Sequence, residues 1–371
     1  MEPITHFLTG ACIGRAGLNR KSAYATLAAV LAAEAADLDV VWGFGGPVEQ
    51  LKHHRGITHT FLFAPVIAGV VVGAVWCLHR FLLRRSERAA AVAPPGAPEP
   101  RKPQPVHWGW LYLAALIAAL SHVLLDWTNS YGVRPFSPFN PRWYAGSFVF
   151  IIDPVLWALL GSAIVFPWLF GLADREIGVR RQPFRGRGWA VFALSGMVLY
   201  WGLRWFEHDQ AINLLRNNPV ATQPVNRIDM EPYPWNPFHW HALMETASYY
   251  QNAEINTWTG VIDSDPDEDI ILKPHETAAV EAAKQTRLGR VYLDWGSWAV
   301  VRDLGHKPVA ALPPPDLPPG RTWTTVQFQD LRFGYRFRAL SRSGSSPLDG
   351  WVYIIDNRED GGEGMGRTVQ K

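Results

Sequence analysis

Four short groups of residues in this chain carry side chains that bind divalent cations: Thr5-His6, Asp37-Leu-Asp39, His54-Arg-Gly-Ile-Thr-His59 and His122-Val-Leu-Leu-Asp126. All lie in or beside strongly apolar sequence. Ionisable groups at membrane depth are costly to keep, so each is by default a functional residue. His122 and Asp126 are four apart, and on a helix they project from one face. That spacing suits two ligands of one cation, or a carboxylate that bridges two. Asp37 and Asp39 are two apart, so at a fraying helix end only one of them points at a shared ion. His54 and His59 flank Gly56, which lets a short loop fold one or both imidazoles inward.

Mixed imidazole and carboxylate donors suit zinc, manganese or iron better than a Cys-rich structural zinc does. Two ions about 3.5–4 Å apart clamp phosphoryl oxygens during in-line displacement, and a single zinc with bound water is the simpler form. The chain has no HExxH sequence, which argues against a zincin-type protease. Each residue also has a plainer role open to it. Asp37 and Asp39 can solvate a helix end, Glu34 can be a neutral hydrogen-bonded carboxyl, and Arg55 can be an interfacial anchor. A competing constellation is His239-Trp-His241 followed by Glu245, because alternate residues on a strand share a face.

The order and spacing of Met-Glu-Pro-Ile-Thr-His6-Phe-Leu-Thr-Gly10, Asp37-x-Asp39, His54-Arg-Gly-Ile-Thr-His59 and Ser121-His122-Val-Leu-Leu-Asp126 resemble a bacterial inner-membrane, metal-dependent hydrolase family, typified by a LexA-regulated inner-membrane protein. The resemblance covers roughly the first 140 residues, through Tyr131-Gly132 and Pro138. Tyr233-Pro-Trp-Asn-Pro-Phe-His-Trp240 also looks like the extracytoplasmic part of longer members. The family is itself similar to zinc-dependent phospholipase C and P1-type nucleases, whose trinuclear zinc site includes a His-x-x-x-Asp pair. This resemblance implies that His122 and Asp126 are ligands, joined by His6, Asp39 and His59. The further His and Glu residues of a trinuclear cluster are not at matching positions, so one or two ions are expected, zinc first. With His54 added, the expected metal set is His6, Asp39, His54, His59, His122 and Asp126. Asp37 or Glu34 would serve as a partner to the ligands or as a base. Arg55, and His54 with it, would orient ligands or contact phosphate.

These groups must be positioned by membrane helices. The 371 residues divide into a hydrophobic stretch, 1–206, and a mixed, Pro- and Trp-rich remainder, 207–371. Thr60–Leu83, Trp108–Trp127, Phe148–Phe170 and Gly188–Phe206 are each long enough to span a bilayer. Ser22–Phe44 is Ala-rich and weaker. Ile4–Leu18 covers roughly 22 Å as a helix, short of a core of about 30 Å. The start of the chain lacks the basic, uninterrupted apolar pattern of a cleavable signal peptide. Cys12 and Cys77 lie in apolar runs without metal-ligand spacing and are expected to be inert buried thiols.

Arg84, Arg85, Arg88, Arg101 and Lys102 precede the second strong span, and Arg175, Arg180, Arg181, Arg185 and Arg187 precede the fourth. Lys and Arg concentrate in cytoplasmic loops, so both are expected inside, with Arg15, Arg20 and Lys21. All the candidate ligands then converge on the outer face. Residues 89–105, rich in Ala and Pro, read as a flexible linker. The expected fold is an α-helical polytopic membrane bundle followed by a smaller α+β or mostly β extracytoplasmic domain. Its strands are expected at Asn256–Ile262, Arg290–Val301, Thr324–Arg338 and Trp351–Ile355, with a helix at Thr277–Arg287.

The composite expectation is a multi-pass inner-membrane hydrolase of a phosphoester, lipid-linked or otherwise, meeting the bilayer. A non-catalytic scaffold with a structural metal and a partner-binding soluble domain is the alternative. With a net charge of +2 and no basic stripe, nucleic-acid binding is not expected.

Overall fold

The computed structural model describes residues 1–92, 104–176, 186–335 and 346–366. They fall into two compact units, Met1–Leu38 with Arg55–Phe206 and Asp39–His54 with Glu207–Lys371.

The first unit is helical. Helix α1 (Pro3–Arg15) starts with Pro at its first position, and the Glu2 carboxylate accepts from the Thr5 amide. Helix α2 (Ala25–Glu34) is Ala-rich, with Ala25, Ala28, Ala29, Ala32 and Ala33 buried. The two pack closely because α1 presents Gly10 and Gly14 to α2. A Cβ at Gly14 would meet the Thr26 Cα at 2.4 Å, and one at Gly10 the Ala29 carbonyl oxygen at 2.8 Å. Small residues four apart are what permit backbones to approach in this way.

Helices α4 (Ala64–Ala91), α5 (Trp108–Trp127) and the first 20 residues of α6 (Pro154–Glu176) are long and apolar enough to cross a membrane. Asp153 caps α6, accepting from the amides of Val155 and Leu156. The expected fourth span lies in α7 (Arg187–Asn217), which is not among them. Its Trp, Tyr and Arg204 lower its hydropathy, and Arg204 is fully buried, donating to the Phe148 carbonyl at 2.7 Å. Cys12 is buried as expected, whereas Cys77 lies on the exposed flank of α4. Of the expected linker, residues 89–91 continue α4, and 93–103 lie outside the described residues. So do Arg101, Lys102, Arg180, Arg181 and Arg185.

Instead of one long helix over Ser22–Phe44, α2 gives way at Ala35 to a 3-10 helix running to Gly45.

The second unit contains α3 (Pro47–His53) and two antiparallel sheets. In one, β1 (Arg227–Pro232), β2 (His239–Glu245), β3 (Tyr249–Asn256) and β4 (Val261–Asp263) follow in order. A short helix α8 (Pro266–Asp269) leads to β5 (Ile270–Leu272), which also pairs with β3. After α9 (Ala278–Lys284) and α10 (Arg287–Trp295), β6 (Ala299–Asp303), β7 (Trp323–Asp330), β8 (Gly350–Ile355) and β9 (Glu359–Met365) form the other sheet.

Four expectations change here. Asn256–Ile262, expected as a strand, is mostly the turn that joins β3 to β4. The strand expected from Thr324 ends at Asp330, where a 3-10 turn, Leu331–Phe333, begins. Arg290–Trp295, taken for strand, belongs to α10, and the strand begins only at Ala299. The apolar run Val291, Tyr292, Leu293 and Trp295 does not separate strand from helix by itself. The single helix expected over Thr277–Arg287 is two helices. Thr277 caps α9 through the Val280 amide, and Thr286 caps α10 through the Gly289 amide. The tail of the expected strand, 336–338, lies outside the described residues.

Candidate metal centre

The first unit brings four of the expected residues to one point. His122 and Asp126 sit on the last two turns of α5, both fully buried. His59 ends a single 3-10 turn just before α4 and is also fully buried. Asp37 comes from the 3-10 segment after α2, and its side chain is 22 % exposed. His59 Nε2 is 3.2 Å from Asp37 Oδ1 and 3.2 Å from Asp126 Oδ2. His122 Nε2 is 3.2 Å from Asp126 Oδ2 and 3.6 Å from Asp37 Oδ1. One donor atom from each of the four lies within 4.8 Å of every other.

Two observations test whether this group fits a cation. The first is spacing. Tetrahedral ligands with bonds of about 2.0–2.1 Å lie about 3.3 Å apart, which the 3.2–3.6 Å contacts match. The second is orphaned atoms. His122 Nδ1 lies 2.6 Å from the Ala33 carbonyl oxygen, an acceptor only, so this nitrogen carries the proton. Its Nε2 then offers a lone pair toward two carboxylates. Although 3.2 Å apart, His122 Nε2 and Asp126 Oδ2 make no hydrogen bond, and both are buried. Lone pairs converging in a buried space are costly unless something positive lies between them. Both observations fit a divalent cation.

His6 is fully buried and stacks on His122, with ring centroids 3.8 Å apart. Its Nε2 lies 3.5 Å from Asp126 Oδ1, and neither ring nitrogen has a hydrogen bond. It borders the four-residue group without belonging to it. Arg55 is also buried. It meets Asp126 Oδ1 at 2.9 Å and spends its other terminal nitrogen on Asn129 Oδ1 and the Gly132 carbonyl, both at 3.1 Å. Its guanidinium lies 4.8 Å above the Tyr131 ring. The Met1 amine is a further partner of Asp126 Oδ1. Glu34 is half-buried, with one carboxylate oxygen lacking a hydrogen bond.

Asp39 and His54 are placed together but not in this group. Asp39 Oδ1 meets His54 Nδ1 at 2.8 Å, within the second unit. Asp37 turns into the group of four while Asp39 pairs with His54, and both keep the donor type expected of a metal ligand. The physical reason is the 3-10 geometry of residues 35–45. At three residues per turn, positions two apart point in different directions.

The sequence gives no side-chain signal for the Ala33 carbonyl that orients His122. Asn129 and Gly132, which hold Arg55, follow Asp126 closely, and only Gly132 carries a cue, its φ of +83°. The competing His239/His241 pair does not recruit Glu245, which instead meets Lys273 Nζ at 2.7 Å. The β2–β3 register sets His241 opposite Glu254. Both histidines reach that carboxylate at 3.0 Å, and the Tyr233 hydroxyl donates to it at 2.9 Å. Burial opposes ionisation of Glu254, but these hydrogen bonds outweigh it and bring its pKa down to about 2. Among the described residues this set is not one of the groups able to hold an ion.

Comparison with known proteins agrees with the helical half. Residues 1–211 match the family described as YdjM inner membrane protein. An uncharacterized protein of Bacillus subtilis (strain 168), YfhP, is 26 % identical over 182 residues, 46 % of this chain. The match spans 47 % of that relative's length. No solved structure matches.

Proposed function

The chain belongs to the YdjM inner membrane protein family, and from that premise we propose that it is a membrane-bound, metal-dependent hydrolase of phosphoesters. The observation that carries this reading is the Asp37/His59/His122/Asp126 group, four of whose donor contacts, at 3.2–3.6 Å, match the spacing of ligands on one ion. Two imidazoles and two carboxylates favour zinc, as one ion or as the first of two. A divalent ion held there supplies Lewis acidity toward a phosphoryl oxygen and acidifies water.

The chain's own residues divide the remaining work. His59, His122 and Asp126 are fully buried and form the closed side of the group. Asp37, at 22 % exposed, is an accessible corner, suited either to complete the ligand set or to take a proton from water. Glu34 stands nearby as a second candidate base. Arg55 holds Asp126 in place, and its engaged guanidinium makes orientation of the ligand its main role. His6 covers the other face of His122.

The group lies at the C-terminal end of one span, α5, and just before the N-terminal end of another, α4, so it stands near one membrane surface. The basic residues Arg84, Arg85 and Arg88 after α4's apolar core favour the outside for that surface, and residues 207–371 share that side if α7 crosses as a fourth span. Protease added outside spheroplasts should cut 207–371, and protection of that region would reverse the orientation.

A second reading has an observation in its favour. Four protein donors form a closed set, the pattern of a structural metal supporting a scaffold. Asp126→Asn separates the two, assayed on the full chain in lipid nanodiscs. The hydrolase reading expects phosphodiesterase turnover in the parent chain, lost in the variant while helical circular dichroism persists. Stoichiometric metal in a parent chain that turns over no phosphoester would establish the scaffold instead.

A further inference from the structure

An apolar cavity of about 330 Å³ lies beside the metal centre, lined by Phe61, Val123, Leu124, Trp127, Phe136 and Tyr144 among others. The size is at the lower end for sites that take small molecules. No charged residue lines it. The mechanism above does not use it, yet its walls grow out of the centre. Val123 and Trp127 directly follow His122 and Asp126 on α5, and Phe61 is two residues after His59. The opposite wall is the loop after α5, where Phe136 meets Phe61 at 5.7 Å and Tyr144 at 5.4 Å, edge to face.

Arg55 ties that loop to the metal centre. Arg55 bonds Asp126 with one terminal nitrogen and the Gly132 carbonyl with the other. Gly132 immediately precedes Val133, which pairs with Tyr144 through both backbone hydrogen bonds. This fork, with the Phe61 amide donating to the Pro135 carbonyl at 3.0 Å, links the cavity wall to the ligand.

The cavity also borders the exposed apolar flank of a candidate spanning helix. Leu124 is 43 % exposed, and Leu113, Ile117 and Leu124 form an exposed apolar stripe along the spanning helix α5. On a helix long and apolar enough to cross a membrane, that flank is the one suited to meet lipid.

We propose that this cavity is a hydrocarbon subsite, receiving an alkyl chain of an amphiphilic phosphoester whose polar head lies at the Asp/His group. The proposal rests on the hydrolase reading for the head and on the cavity alone for the chain. An aqueous metabolite would leave such a lining empty, and a chain drawn from the bilayer fills it without crossing water.

The test uses the full chain in phosphatidylglycerol vesicles containing phosphatidic acid with a terminal diazirine on one acyl chain. After photolysis, adducts should concentrate on residues 123–127 and 135–144. Leu124→Trp, which fills the cavity from the helix side, should abolish their excess over the rest of the flank. Leu113→Trp, three turns away on the same flank, should not. Equal labelling in both variants, or adducts spread evenly along the flank, overturns the proposal. Phe136→Trp fills the cavity from the loop and serves if Leu124→Trp fails to fold.

Turnover supplies a separate readout. The ratio of long-chain phosphatidic acid to bis-p-nitrophenyl phosphate hydrolysis should fall about ten-fold in Leu124→Trp, the scale of a lost hydrocarbon contact. Absence of any hydrolysis in the parent chain removes the catalytic reading, while the adduct pattern still decides the subsite.

Discussion

The 2.6 Å contact between His122 Nδ1 and the Ala33 carbonyl oxygen fixes which nitrogen of His122 faces Asp126. It joins α5 to the end of α2 and leaves Nε2 as the nitrogen whose lone pair is free to meet a cation. Nitrogen-15 spectra of histidine-labelled, metal-free protein should show His122 as the Nδ1–H form near neutral pH. A dominant Nε2–H form would contradict the assignment.

Removing a ligand should remove the metal. His59→Ala and His122→Ala should each weaken zinc binding by more than about 100-fold, since loss of outer partners alone costs 10–100-fold. Zinc retained after dialysis, measured by atomic emission, is the readout. Asp39→Ala should cost less than either, at most the roughly 10–100-fold of an outer partner. A zinc loss in Asp39→Ala equal to that in His122→Ala would restore Asp39 to the ligand set.

Chelation should destabilise the helical unit. An ion that binds only the folded state at about 1,000 times its Kd contributes about 4 kcal/mol, so EDTA should lower the unfolding midpoint and zinc restore it. In Asp126→Asn the midpoint should no longer respond to either.

Arg55 is buried and has a left-handed φ of 55°, held by its bonds to Asp126, Asn129 and Gly132. Arg55→Ala leaves the Asp126 carboxylate without its guanidinium partner and should cost about 3–5 kcal/mol in the metal-free chain. Arg55→Lys should recover only part of this, because an ammonium lacks the planar fork. Denaturant unfolding of the three proteins measures it.

Gly14→Ala touches no ligand but drives a Cβ into Thr26. It should separate α1 from α2 and reduce zinc affinity through His6 and the Ala33–His122 contact. Full zinc affinity in this variant would show that the centre does not depend on α1–α2 packing.

In the second unit, Asp349 is fully buried, and burial raises its pKa from the ordinary 3.8 to about 7. The folded form then holds a proton that the unfolded form has lost between these values, so stability falls as pH rises from about 4 to 7. The total is on the order of 4 kcal/mol. Asp349→Asn should flatten this decline in thermal unfolding of the second unit, and an unchanged slope would remove Asp349 as its source.

The sequence by itself determined the helical membrane half, because the period and length of apolar runs report a bilayer directly. Trp108–Trp127 coincides with α5, and the spacing of His122 and Asp126 on it required no knowledge of neighbours. It also marked the ligand types, because charged groups beside such runs stand out. What it left open were choices made by packing. Whether Asp37 or Asp39 turns inward depends on a 3-10 segment that a single-helix pattern does not reveal. Whether Arg290–Trp295 is strand or helix depends on the Thr286 cap and the sheet it packs near, since a short apolar run fits both. The protonation of His122 rests on a carbonyl oxygen 89 residues away in sequence. Backbone atoms carry no residue identity, so only the tertiary structure could place that oxygen beside the imidazole.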